Sequence, residues 1–343
     1  MRNLRWIPLL LALGAFGCSG MKDPGPRAAA PADAGEALPL SVRIFLKPLP
    51  DSMPGHQDDT PEAVALGRKL YFERGISLNK TQSCNDCHRL DHNQAGVDYL
   101  PTSKGAVGTF GTRNSPTVLN AGFQLAQFWD GRAADLKEQA KGPVLNPVEM
   151  GMSSPEEVVA RLKVIEGYPE MFARAFPGPA EPMTYDNAAA AIAAFERTLI
   201  TPSRFDRMMS GERGVMTEGE MRGLRLFADT GCLDCHAGRT VGGRLFERFG
   251  VYHPYPNTKD PGRKAVTGQE QDLFVFKVPM LRNVTLTPPY FHDGGVSTLP
   301  EAIRTMGRLQ LNRDLTAEDI AGITQFLRSL EAEELPNLDG PAD

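Results

Sequence analysis

The feature that most limits what this chain can become is a five-residue pattern that occurs twice, as Cys84-Asn85-Asp86-Cys87-His88 and as Cys232-Leu233-Asp234-Cys235-His236. Two thiols at this spacing can each add to a vinyl group of one haem, and the His that follows is placed to bind the iron from one face. A structural zinc site gathers its second ligand pair within about 12–20 residues, whereas these pairs sit in opposite halves of the chain. A thioredoxin-like motif wants a βαβ context and has no use for a His after each pair. The pattern therefore predicts two c-type haems, one on Cys84, Cys87 and His88, the other on Cys232, Cys235 and His236.

A chain of 343 residues has room for about two domains. With 41% hydrophobic and 23% charged residues and a formal net charge of −5, it reads as a soluble globular protein. That balance speaks against a nucleic-acid partner, which would require a basic face. Arg2 and Arg5 precede an apolar run from Trp6 to Phe16, an export signal by pattern, and the run falls short of the roughly 20 residues that span a bilayer. Ala15-Phe16-Gly17-Cys18 resembles a lipoprotein cleavage box with Cys18 as the lipidated residue. Ala15 stands where such a box usually has Leu, so ordinary signal-peptidase cleavage is the alternative. Residues 1–18 are thus read as a signal peptide, and 19–37, rich in Ala, Pro and Gly, as a flexible linker. A periplasmic location follows, with a possible lipid anchor at Cys18, since bacteria attach c-type haem outside the cytoplasm. No disulfide is expected, because four of the five cysteines are assigned to haem and the fifth to lipid or cleavage.

Residues 38–202 and 203–343 are read as two cytochrome c-like domains, mainly α, each with one covalently attached haem, long loops and little sheet. Thr60-Pro61-Glu62 opens a helix that runs toward Gly75 with Ala63, Leu66, Leu70 and Tyr71 on one face. Thr102 to Asn114 reads as irregular loop. Ser154-Pro155-Glu156-Glu157 and Thr217-Glu218-Gly219-Glu220 are capping boxes that start helices to about Ile165 and Ala228. Further helices are expected from about Asp186 to Ile200, Thr298 to Met306 and Ala317 to Leu330, and Thr201-Pro202-Ser203 marks the boundary between domains.

The two halves repeat one plan. Gly67, Leu70 and Tyr71 before the first motif match Gly223, Leu226 and Phe227 before the second. Downstream, Pro116 to Pro143 lies on Pro279 to Met306 without a gap, pairing Asn120 with Asn283, Trp129 with His292, Leu136 with Leu299 and Glu138 with Glu301. At the end of that register Met306 falls opposite Pro143. A thioether is a common sixth haem ligand and Pro cannot bind iron, so the second haem is expected to be closed by His236 and Met306 and the first to be open. An open haem beside a closed one suggests chemistry at the first and electron delivery from the second.

From Asn114 to Gln310 the chain resembles the bacterial di-haem cytochrome c peroxidases. The resemblance rests on Asn114-Ser115-Pro116-Thr117-Val118-Leu119-Asn120, Gln127-Phe128-Trp129-Asp130-Gly131-Arg132, Phe276-Lys277-Val278-Pro279, Pro289-Tyr290-Phe291-His292-Asp293-Gly294-Gly295 and Thr305-Met306-Gly307-Arg308, with both haem motifs. It implies a periplasmic, largely helical and usually homodimeric enzyme that reduces hydrogen peroxide to water with electrons from a small cytochrome c or a cupredoxin. It implies that His88 is the proximal ligand of the peroxidatic haem and that Trp129 lies on the electron route between the haems. Glu149 would be the acid/base of the distal pocket and Gln139 the amide that shapes it. Asn114, with the backbone carbonyls of Thr287 and Pro289, matches a calcium site, a reasonable oxygen set for a hard cation.

One position departs from the pattern. Many family members carry a distal His in the loop after the first haem, and its place is taken here by Ala106. An open first haem that needs no reductive activation is the expectation. His92 is the nearest other candidate ligand, only four residues past His88, while His56 and His253 read as surface residues. Two further readings are a di-haem electron carrier, which would need a six-coordinate first haem, and an enzyme like the di-haem tryptophan-modifying proteins of methylamine metabolism. The latter carry Tyr where Met306 stands.

Overall fold

The computed structural model describes residues 38–178, 180–338 and 340. The expected signal peptide, Cys18 and the 19–37 linker lie outside the described residues. Among these the protein is mainly helical: α1 (Leu40–Phe45), α2 (Pro61–Tyr71), α3 (Cys84–Cys87), α4 (Leu136–Leu145), α5 (Pro155–Lys163), α6 (Tyr168–Ala175), α7 (Tyr185–Glu196), α8 (Arg204–Met209), α9 (Glu218–Thr230), α10 (Lys264–Thr267), α11 (Leu299–Leu311) and α12 (Ala317–Arg328). Two three-residue strands, β1 (Phe246–Arg248) and β2 (Val275–Lys277), pair antiparallel with Glu247 opposite Phe276. None of the described helices is long and apolar enough to cross a membrane.

The capping signals act where the sequence places them. The side chains of Thr60, Ser154, Thr217 and Thr316 accept hydrogen bonds from the backbone N–H of Ala63, Glu157, Glu220 and Asp319. Such caps are worth about 1 kcal/mol each. Three expected ends differ. Helix α2 stops at Tyr71 and not near Gly75, and α7 stops at Glu196 before the Thr201-Pro202 turn. Helix α11 runs past Gly307 to Leu311, because Gly307 lets Leu315 pack against the helix, where a Cβ would meet Leu315 Cγ at 2.8 Å. Helices α1, α4, α6 and α8 carried no expectation. The first and third lack a side-chain cap, α4 holds Pro143 in its interior, and the α8 capping box of Ser203 and Asp206 overlaps the supposed boundary.

Each half is built on one helix crossing. A Cβ on Gly67 of α2 would sit 1.8 Å from the Ala191 carbonyl oxygen of α7, and one on Gly223 of α9 would sit 2.0 Å from that of Gly322 in α12. Only glycine permits backbones this close. Leu66, Leu70, Tyr168 and Phe172 fill one core, and Phe205, Leu224, Phe326 and Leu330 another. Each such side chain contributes roughly 1.5–3 kcal/mol by leaving water. The first and last described segments cross over: Val42 and Leu46 pack into the second core, whereas Leu335 and Leu338 pack beside Tyr71 and Leu90 near the first motif.

The repeat is also visible in the backbone. Asn120 and Asn283 are both fully buried with φ of 60°, and each starts a short 3-10 turn. Their amide nitrogens donate to the same hydroxyl, that of Thr201, at 2.7 and 3.0 Å. Gln127 bridges to Ala133 as Tyr290 does to Val296. Asp135 caps α4 as Thr298 caps α11.

Candidate active site

The first haem motif occupies α3, whose Ser83 and Asp86 form a capping box, and Arg74 grips Asp86 at 2.6 and 3.1 Å. His88 ends the turn, with its N–H on the Cys84 carbonyl and its own carbonyl accepting from the Tyr71 hydroxyl at 2.5 Å. The His88 Nδ1 lies 2.9 Å from the Pro116 carbonyl oxygen. A carbonyl only accepts, so Nδ1 carries the proton and Nε2 keeps a lone pair for a metal. Burial lowers the imidazole pKa and keeps that lone pair available. His88, Cys84 and Cys87 face a cavity with about 1230 Å³ free of protein atoms, its mouth included.

Another wall of this cavity is α4 and the turn after it. Leu136, Gln139, Ala140, Pro143 and Val144 recur at helical spacing and all line the cavity. Glu149 joins them from a turn in which its N–H donates to the Asn146 carbonyl and the Asn146 amide donates to its Oε1 at 2.8 Å. Burial raises the Glu149 pKa above 4.5, while Arg132 and the Asn146 amide pull it back. A carboxyl so balanced can both take and return a proton. Arg132 also lines the cavity, its guanidinium 3.4 Å from the centre of the Phe128 ring. Ala106 donates its N–H to the Glu149 carbonyl oxygen at 2.7 Å, and a Cβ on neighbouring Gly105 would meet the Val148 carbonyl oxygen at 1.8 Å. The loop is thereby held on the Glu149 turn. The His92 side chain is 70% exposed and turned to Asp91, away from the cavity-lining residues, and His253 bonds Asn312.

The second motif follows α9, which Gly231 ends in a left-handed conformation. His236 is half-buried, and desolvation of its ring lowers its pKa to about 4, which keeps it neutral. Its Nδ1 has no hydrogen-bond partner, although backbone groups of Val241 and Pro279 lie against the ring. Pro279 is the repeat counterpart of Pro116, so the two rings are flanked alike. Two adjoining cavities, of about 1110 and 680 Å³ counted as before, are both lined by Cys232, His236 and Met306. The second also takes in Cys235. Burial raises all four cysteine thiols, Cys87 to about 11 and Cys232 to about 12.

Trp129 lines all three cavities and so forms the wall between the motifs. Its Nε1 donates to the Asn114 carbonyl oxygen at 2.8 Å, and its own carbonyl accepts from Lys277 in β2. Asn114, Thr287 and Pro289 meet in the larger cavity of the second site. The Asn114 amide nitrogen donates to the Leu100 carbonyl oxygen at 3.0 Å, which leaves its oxygen as the group able to face a cation. Among the described residues no cluster of three or more His, Cys, Asp or Glu could hold a metal ion, so a calcium site here would draw on amide and carbonyl oxygens.

Sequence reasoning missed Arg132, Glu196 and Lys277. Arg132 stands in the quoted Phe128 to Arg132 segment, but only the fold brings it beside Glu149. Lys277 is buried with its pKa lowered to about 7, and its Nζ donates to Gln124 Oε1 and the Ala126 carbonyl oxygen.

The sequence model described as di-haem cytochrome c peroxidase matches residues 61–214. A cytochrome c551 peroxidase of Nitrosomonas europaea is 45% identical over 283 residues, spanning 80% of this chain and 82% of its own. The cytochrome c551 peroxidase of Pseudomonas aeruginosa is 41% identical over 321 residues, 91% of each chain. Among solved structures, a MauG-like protein associated with microbial copper homeostasis superposes with a TM-score of 0.73 at 30% identity, covering 83% of this chain and 94% of that one. The chain therefore belongs to the di-haem cytochrome c peroxidase family and is an oxidoreductase of that class.

Proposed function

We propose that this di-haem peroxidase carries one haem covalently on Cys84 and Cys87 with His88 as ligand, and another on Cys232 and Cys235 with His236 and Met306 as ligands. Hydrogen peroxide is reduced to water in the first cavity, two electrons and two protons being taken up for each peroxide. Bound haem iron would supply the site that accepts peroxide and the means to hold single electrons. The observation that carries this reading is the asymmetry of the two cavities: Gln139 and Glu149 face the one that contains His88, whereas Met306 faces the one that contains His236.

Glu149 does the proton work. Its carboxylate takes the proton from one peroxide oxygen and delivers it to the other, so that the departing oxygen leaves as water. The Asn146 amide holds Oε1 in place for both transfers. Gln139 orients peroxide from one turn inside α4, and Arg132 offsets the negative charge that builds during cleavage. Trp129 conducts electrons between the cavities, held by its bond to the Asn114 carbonyl. Calcium on the Asn114 side-chain oxygen and the Thr287 and Pro289 carbonyls would clamp the segment that also orients Trp129. The electron donor is a small periplasmic cytochrome c or cupredoxin, the enzyme is a homodimer, and the protein is exported to the periplasm, with Cys18 as a lipid attachment point.

The test is Glu149→Gln. Turnover of peroxide should fall by about 10²–10⁴-fold, the usual worth of general acid–base catalysis, while the haem content and spectra of both sites stay as in the parent. Turnover within a few-fold of the parent would remove Glu149 from the mechanism.

A further inference from the structure

Glu196 closes α7 and is only 4% exposed. It lines the first cavity with Cys84, Cys87 and His88, and its Oε2 has no hydrogen-bond partner. The proton chemistry above makes no use of it. A buried polar atom left unsatisfied costs stability, so its presence calls for a role.

The fold itself does not require a carboxyl there. The close approach at Gly67 brings its would-be Cβ to Ala191 O and, at 2.9 Å, to Phe195 Cβ. That at Gly223 brings it to Gly322 O and, at 3.0 Å, to Phe326 Cβ. The two crossings thus pair Ala191 with Gly322 and Phe195 with Phe326. In the same register Ile192 falls on Ile323 and Glu196 on Leu327. Ile192 and Glu196 line the first cavity, and Ile323 and Leu327 line the second. One helical position therefore presents an acid to the first site and an isobutyl group to the second.

We propose that Glu196 sets the reduction potential of the first haem below that of the second, by placing a carboxylate in the wall of the cavity that would hold that haem. This rests on the reading that the first cavity holds a haem. A negative charge in a medium of low dielectric favours the ferric over the ferrous state. By the same linkage, reduction adds one electron to the iron and draws one proton from solvent to the Glu196 carboxylate, so the potential falls as pH rises. Burial raises the Glu196 pKa to about 8, and the adjoining Arg197 lowers it. The groups facing it from other elements are Tyr71 of α2, whose own pKa burial raises well above 10, and Cys84 of α3, which loses its proton once bonded to haem. Arg197 is held by Asp59. Glu149 shares the cavity from α4's far end, and it contributes equally to parent and variant.

Spectroelectrochemical titration of the holoenzyme from pH 6 to 9 tests this in the parent, Glu196→Gln and Glu196→Leu, with the second haem as internal reference. All three proteins should carry two haems. At pH 9 the ferrous-to-ferric ratio of the first haem, at a fixed applied potential, should rise at least tenfold in both variants, about 59 mV for a one-electron couple. The second haem should not move, and the fall in potential with pH seen in the parent should flatten. Equal first-haem potentials in parent and Glu196→Gln at pH 9, with both haems attached, would overturn the proposal, as would an equal shift of both haems. If Glu196→Leu loses haem, Glu196→Gln alone decides. A parent that carries one haem would instead overturn the di-haem reading, and this inference with it.

Discussion

The cavity around His88 and the one around His236 are made by the same elements in the same order, yet their walls differ at a few matched positions. Where α4 offers Gln139 and Pro143, the repeat in α11 offers Ala302 and Met306. Where α7 offers Glu196, α12 offers Leu327. The first wall sets Gln139, Glu149 and Glu196 among apolar side chains and has no side chain able to bind iron at the Met306 position. The second is apolar with one soft sulfur. The difference teaches that the scaffold is indifferent to chemistry: helix crossings and turns recur, and the proposed division into a reacting and a conducting site rests on three or four side chains.

Carrying the second wall into the first should have the largest effect. Pro143→Met should close the first iron with a thioether, converting its spectrum to that of the second site and lowering turnover by roughly tenfold or more, because a sixth ligand must leave before peroxide can bind. Unchanged spectra would mean that the register of α4 on α11 does not extend to this position. Next in size, Gly67→Ala should cost about 1–3 kcal/mol of stability by overpacking the crossing of α2 and α7, read by thermal unfolding. Gly223→Ala should cost about as much, and each should disturb the spectrum of its own haem and not the other.

Smaller effects concern the tuning of the first site. Glu149 must be ionised to take a proton, so kcat/KM should rise with pH through its pKa, which burial places above 4.5. Arg132 holds that pKa down, so Arg132→Met should move the acid limb of the profile to higher pH. An unmoved or lowered limb would dissociate Arg132 from Glu149. Smallest in stability is Trp129→Phe, which forfeits the bond to the Asn114 carbonyl, about 0.5–1.5 kcal/mol. Its spectra should stay intact while electron transfer between the haems slows in rapid-mixing experiments.

The sequence displays what is local. Both haem motifs, the caps at Thr60, Ser154, Thr217 and Thr316, and the repeat from Pro116 to Met306 are written in neighbouring residues. What it hides depends on partners distant in the chain. Helix α6 starts at Gly167 without a side-chain cap, and α4 holds Pro143 in its last turn, where Pro has no N–H to give the Gln139 carbonyl. Nothing near Val42 or Leu338 announces that each packs on the half more distant from it in sequence. Arg132 and Glu196 read as ordinary charged residues until the fold turns them into the first cavity. For Glu196 a signal existed, an acid on an otherwise apolar Ala-rich helix, but its meaning requires the α7 and α12 register that only the crossing glycines supply.

The central claim, an open first haem beside a closed second one, is tested most directly by electron paramagnetic resonance of the oxidised protein as isolated, before and after addition of hydrogen peroxide. The account predicts one high-spin and one low-spin ferric signal, with the high-spin signal lost on adding peroxide and no prior reduction required. Two low-spin signals that peroxide leaves unchanged would contradict it, and would mean that a side chain closes the first iron.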